Sequence, residues 1–170
     1  MSESNKYKYE RRKDAEVWIR SSRQLAKSVA MLLRPDAGNI FVDKHKKDVL
    51  GAAIWKLTEA ETEKHNTRYC SEAVWKTRDL LTGDVQHEHV FTKEKMIIDL
   101  LNCDESEIER VIEKAVGCVV YKTEHGKLPC WSKHRGEIDG WCRYKQAKIR
   151  VVDSLNTTNP EHPYFVPGTL

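Results

Sequence analysis

The sequence predicts an α/β or α+β fold in one domain, with an N-terminal helix, a small sheet and an extended C-terminal tail. Three observations lead there. Apolar residues recur at helical spacing from Asp14 to Leu33. Two apolar runs of strand length, Cys118-Val119-Val120-Tyr121 and Ile149-Arg150-Val151-Val152, stand either side of a helical pattern. The last fifteen residues hold three prolines and no periodicity. The boundaries that follow are a polar arm over 1–13, a globular domain over 14–155 and a tail over 156–170.

In chain order, Asp14 is placed to cap the first helix and Pro35 to stop it. Its core face is expected at Trp18, Leu25, Val29 and Leu32, with Ala15, Ile19, Ala26 and Leu33 alongside. Asp36-Ala37-Gly38-Asn39 reads as a turn and Ile40 to Val42 as a short strand. The charged patch Asp43 to Asp48 follows, and Val49 to Glu59 is either a short helix or a strand. Ala60 to Arg68 reads as a loop, and Ser71 to Trp75 opens a short helix ending near Gly83. Thr92 is the expected cap of a helix holding Met96, Ile97, Leu100 and Leu101. Asp104 and Glu107 resemble a capping box before Ile108, Val111, Ile112 and Ala115, with Gly117 ending that helix. Asp139 is expected to cap a helix holding Trp141, Cys142, Tyr144 and Ala147. Strand, helix, strand in that order favours parallel pairing of the two apolar strands. Tyr164-Phe165-Val166 in the tail is expected to dock on its own domain.

Composition narrows the function classes. With 170 residues, 39% hydrophobic and 32% charged, the chain is long enough for a conventional core. No apolar run approaches the roughly 18 residues of a membrane span, and MSESNKYKYERRKD has no signal-peptide core, so a cytosolic protein with no membrane partner is expected. Five widely spaced cysteines without a CxxC pair suggest neither a disulfide framework nor a four-cysteine zinc site. Net charge is +3 but uneven: +5 over 1–34, −5 over 35–120, +5 over 121–150 and −2 beyond. Basic ends around an acidic middle suit either a nucleic-acid backbone or pairing of the ends with the middle. Cys70 lacks a neighbouring histidine that would make it a nucleophile, and the scattered glycines form no phosphate-cradling loop.

The candidate chemistry centres on His87-Glu88-His89. On a strand, the two imidazoles share one face and Glu88 points to the other. Two imidazoles supply half a tetrahedral metal shell, and Glu124, His125, Cys130, His134, Glu137 and Asp139 are the downstream side chains able to add to it. Equally, His87 and His89 suit buried hydrogen-bonding roles at a strand-to-helix junction. Lys93, Lys95, Arg143 and Lys145 are candidates for gripping phosphates, with Trp141 and Tyr144 stacking on bases. Helical spacing puts Trp141 and Tyr144 on one face, which equally suits core packing. Gly136-Glu137-Ile138-Asp139-Gly140 reads as a turn.

Glu88-His89-Val90, followed by hydrophobic and basic residues, resembles the first element of HNH, or His-Me finger, nucleases. The resemblance spans about fifteen residues and implies His89 as general base, Glu88 with His89 beside a divalent metal (Mg, Mn or Zn), and Asn102 as the residue orienting the histidine. The expected function is therefore a nucleic-acid-acting hydrolase, a small nuclease working with or without a metal's assistance, with His87, Glu88 and His89 as its catalytic set. The competing expectation is a non-catalytic interaction protein, such as an inhibitor or accessory factor of a phage, mobile-element or defence system. Convergence of further polar groups on the central stretch favours the enzyme, and an exposed aromatic or charged patch favours the interaction protein.

Overall fold

The structure is a computed structural model that describes residues 9–35, 38, 40–62, 65–77, 83–130, 138–159 and 161–170. Its chain is mixed α/β. Helix α1 (Ala15–Leu33) and helix α2 (Asp43–Thr58) come first, then strand β1 (Tyr69–Ser71), helix α3 (Glu72–Thr77) and strand β2 (Val85–His89). Helix α4 (Lys93–Asn102) leads through a 3-10 turn (Glu105–Glu107) to α5 (Ile108–Ile112) and strand β3 (Gly117–Tyr121). Helix α6 (Lys122–His125), helix α7 (Trp141–Gln146) and strand β4 (Val151–Asp153) complete the described elements.

The four strands run in the order β2-β3-β1-β4. β1 is parallel to β3 and antiparallel to β4, while β2 is antiparallel to β3. The two apolar strands expected to pair in parallel therefore do not pair. β1 lies between them and they run in opposite directions, because Tyr69–Ser71, too short to register in a periodicity scan, takes the central place. The tail extends this sheet: Val166 N donates to Val151 O at 2.8 Å and Asp153 N to Tyr164 O at 2.9 Å. The expected docking of Tyr164-Phe165-Val166 on its own domain is what the structure has, and it covers the edge of β4.

Among the described residues, apolar side chains gather in three clusters. Ala26, Ala30, Leu33, Leu50, Ile54, Met96, Leu100 and Ile108 join α1, α2, α4 and α5. Cys118, Val120, Val151 and Tyr144 pack on one sheet face under α7, and Cys70, Val74, Val119 and Val152 on the other under α3. Among the described residues no helix is long and apolar enough to cross a membrane.

Several local expectations change. The buried face of α1 is Ala15, Ser22, Ala26, Ala30 and Leu33, whereas Trp18, Leu25 and Leu32 are exposed. Ile40 to Val42 is not a strand but an exposed lead into α2, and the charged patch from Asp43 is that helix's first turn. Gly117 opens β3 instead of closing α5. Asp14 does not cap α1 by its side chain, which accepts from Trp18 Nε1 at 2.8 Å. Asp36, Ala37, Asn39, Lys133, His134, Gly136 and Glu137 lie outside the described residues.

Candidate active site

Glu88 is the centre of the polar constellation that the fold assembles. β2 places it opposite Cys118 of β3, facing α7, while His87 sits opposite Val119 and faces the other way. His87, Glu88 and His89 are only 3%, 8% and 6% exposed. A carboxylate so buried is costly without partners. Arg143 Nη2 donates to Glu88 Oε1 at 2.9 Å, and His125 Nδ1 lies 2.8 Å from Oε2. Burial alone pushes the Glu88 carboxyl up, but His125 and the Arg143 charge together hold it below the usual carboxylate range. In return Glu88 raises the His125 imidazole above its ordinary value, against some loss of hydration. His125 is the solvent-facing member, with 39% of its side chain exposed.

Arg143 is fixed from every side. Its Nε donates to Pro129 O at 3.0 Å, and Nη1 to His89 O at 2.8 Å and Val90 O at 3.1 Å. A guanidinium with five donors in a fork suits this multiple anchoring. Expected to hold phosphate, Arg143 is instead a buried tie between α7 and the end of β2.

On the opposite face of β2 the two imidazoles pack against Trp55, each with its ring 5.0 Å from the indole. His87 Nε2 lies 3.1 Å from Thr58 Oγ1, whose own proton goes to Trp55 O at 2.9 Å. The Thr58 hydroxyl thus stands between the Trp55 carbonyl and the His87 ring. Gly117 makes room for that ring, since a Cβ there would stand 2.7 Å from His87 Nε2. His89 is kept neutral: burial, then the neighbouring His87, brings it down to about 4.

The other expected residues divide. Lys93 is exposed beside Trp55, Lys47 and Lys56 in a groove of about 540 Å³ between α2 and α4. Lys95 pairs with Asp99 at 2.8 Å, and Lys145 is exposed. Glu124 accepts from Ser71 Oγ at 2.6 Å and from Tyr121 N at 3.0 Å, which closes the first turn of α6. Asp139 accepts from Thr92 N at 2.9 Å, so it serves the start of α4 and not its own helix, whose cap is Gly140. Asn102 donates to Ile98 O within α4 at 2.7 Å, which takes it away from any role at His89. Cys130 and Cys142 are exposed, whereas Cys70 is buried with its thiol pushed up by desolvation. The basic ends pair in part with the acidic middle, through Arg23–Glu113 (3.5 Å), Lys27–Glu109 (3.8 Å) and Arg150–Glu72 (3.3 Å).

The metal implied by the HNH resemblance does not fit these residues. Glu88 and His89 point to opposite faces of β2, and Arg143 and His125 take both Glu88 oxygens. Among the described residues no group of three or more His, Cys, Asp or Glu side chains is placed to hold an ion. Sequence reading placed His125 among the side chains able to reach this stretch, but as a metal ligand beside the imidazoles and not as the partner of Glu88. The pairing with Glu88 follows from the register of β2 against β3, which carries the helix after Tyr121 back over Glu88. Comparison of the chain with family models, with curated proteins and with solved structures finds no match.

Proposed function

We propose that this chain acts in the cytosol as a hydrolase of nucleic-acid phosphodiesters, with His125 as general base and Glu88 as the group that orients it. One observation carries the reading: a half-exposed imidazole stands with Nδ1 2.8 Å from a buried carboxylate. A base aligned by a second, buried group is the arrangement by which proteins make an imidazole accept a proton from an attacking hydroxyl. With Nδ1 turned to Glu88, Nε2 is the nitrogen left for that proton. Lys122 and Lys127 flank His125 in sequence and are exposed, within a segment that carries a charge of +5 over residues 121–150. Such cations suit a phosphate backbone and the charge that develops on it.

The test is cleavage of labelled RNA and single-stranded DNA by the purified chain, with magnesium, manganese or zinc and without added metal. His125→Gln is expected to lower the rate roughly 100-fold to 10,000-fold while the circular dichroism spectrum is kept. The acidic limb of the wild-type rate profile should lie above the ordinary imidazole value, because Glu88 raises His125. A wild-type chain that leaves every substrate intact removes the hydrolase reading. The second reading, an inhibitor or accessory factor that works by contact, is favoured by the exposed Trp18, Leu25 and Leu32 of α1. It requires that His125→Gln leave function unchanged.

A further inference from the structure

The groove of about 540 Å³ between α2 and α4 has the volume of a ligand site and takes no part in the chemistry at Glu88. Gly51, Ala52 and Trp55, one turn of α2, line one wall, and the start of α4 supplies Lys93 and Glu94 opposite. Trp55 is a fixed plane. Its indole packs on the His87 and His89 rings with centres 5.0 Å apart, and its Nε1 donates to Glu59 Oε1 at 2.6 Å. Gly51 leaves the wall beside it bare. A Cβ there would meet Lys93 Cδ at 3.6 Å and Ile97 Cδ1 at 3.7 Å, both ordinary contacts, so packing does not demand glycine. Glycine is a poor choice inside a helix, and what it leaves here is open space in the groove.

The balance of charge in the lining is positive. Asp48 is held by Lys44 at 2.9 Å, and Lys56 lies 3.4 Å from Glu59. Lys47 and Lys93 are exposed, and among the described residues neither has a carboxylate within ion-pair distance. Glu94, exposed in the first turn of α4, is set against these two, which leaves one cation over. The Lys93 stem runs over Gly51, so its ammonium end stands against the α2 wall.

We propose that this groove binds single-stranded nucleic acid, one base stacking on Trp55 and the adjoining phosphates lying against Lys47 and Lys93. An aromatic plane fixed before contact, with cations beside it, is the pairing of groups that holds a strand without regard to its sequence. The described lining comes from α2 and α4 alone, so the site has two walls and open ends. A free nucleotide would stay largely in water there, whereas a strand runs on through. A paired duplex keeps its base faces stacked and out of reach of the indole. The inference does not rest on hydrolysis at His125, since a strand held here and never cut satisfies it.

Fluorescence anisotropy of labelled single-stranded RNA and DNA oligonucleotides with the full chain tests it, using the wild type and His125→Gln in EDTA so that binding and cleavage are read apart. Dissociation constants between about 1 and 100 μM are expected at 0.1 M salt, with the duplex of the same sequence at least about 5-fold weaker. Lys47→Ala and Lys93→Ala should each weaken binding about 5-fold and lower the slope of log affinity against log salt by about 0.7, which loosened packing would not do. Ala52→Leu, at an exposed helix position, should keep the circular dichroism spectrum, fill the groove and weaken binding at least about 10-fold. No binding with the chain at about 500 μM overturns the proposal, as does binding that the lysine and Ala52 variants leave unchanged or that the duplex matches. A strand bound at this groove and cut under no condition removes the hydrolase reading and leaves this one standing.

Discussion

Burial against Trp55, with His87 as a neighbour, keeps the His89 ring from taking up a proton until the pH falls to about 4. In the unfolded chain the same ring protonates near 6.5. Between those values the unfolded state binds more protons, so stability falls as the pH drops below about 6.5, and the loss levels off near 4 at about 3 kcal/mol. His125 has the opposite sign. Its raised value means that its pairing with Glu88 contributes fully below about 6.5 and is lost as the pH climbs through the folded-state value. Urea unfolding at pH 7 and pH 4.5 separates the two: His89→Gln should remove most of the acid loss, some 2–3 kcal/mol of the difference between the two conditions. Equal acid losses in wild type and variant would mean that His89 does not stay neutral in the folded chain. At this scale residue type marked the stretch and put His125 among the side chains able to reach it, as a metal ligand and not as the neighbour of Glu88. His87, Glu88 and His89 announce themselves by residue type, but alternation along a strand leaves open which face is dry and what meets Glu88.

Helix α4 shows how an element draws on residues far from it in the chain. Thr92 stands at its N-cap without a side-chain cap bond, and the backbone N–H of Thr92 is met instead by Asp139, 47 positions later. Asp139→Ala leaves that donor unmet at a nearly buried site and is expected to cost about 1–2 kcal/mol in thermal or urea unfolding. An unchanged midpoint would show that water replaces the carboxylate without loss. The helix itself was readable, since Met96, Ile97 and Leu100 fall at core spacing and are buried. So were α1 and β3, whose patterns are long or strongly apolar. What periodicity did not reveal follows from contacts it does not contain. The inward face of α1 is set by close approach to α2, which selects alanine and serine over tryptophan and leucine. β1 has three residues and takes its place only because β3 and β4 flank it. Gly117, suited by type to end a helix, is needed where the His87 ring leaves no space for a Cβ.

Across the whole molecule, Arg143 and Glu88 add a polar tie to parts that one hydrophobic cluster also joins through Val90, Leu128 and Tyr144. Arg143 reaches the backbone at His89, Val90 and Pro129 as well as the Glu88 carboxylate, and through Glu88 the chain after β3 is tied by His125. Both side chains of the ion pair are nearly buried, at 5% and 11% exposed. Removing one partner therefore strands the other charge away from water. Arg143→Met and Glu88→Gln are each expected to lose roughly 3–5 kcal/mol of stability. The double variant buries neither charge, so its loss should be smaller than the sum of the two by about 1–3 kcal/mol, measurable as a coupling energy in a urea-unfolding cycle. Two readouts sort the causes. Glu88→Gln takes away what raises His125, so in nuclear magnetic resonance the His125 titration should move toward its ordinary value, whereas an Arg143 change that only loosens packing leaves Glu88 beside it. Additive losses, with His125 titrating unchanged in the Glu88 variant, would show that the three side chains act independently, and neither the tie across the fold nor an oriented base would then remain.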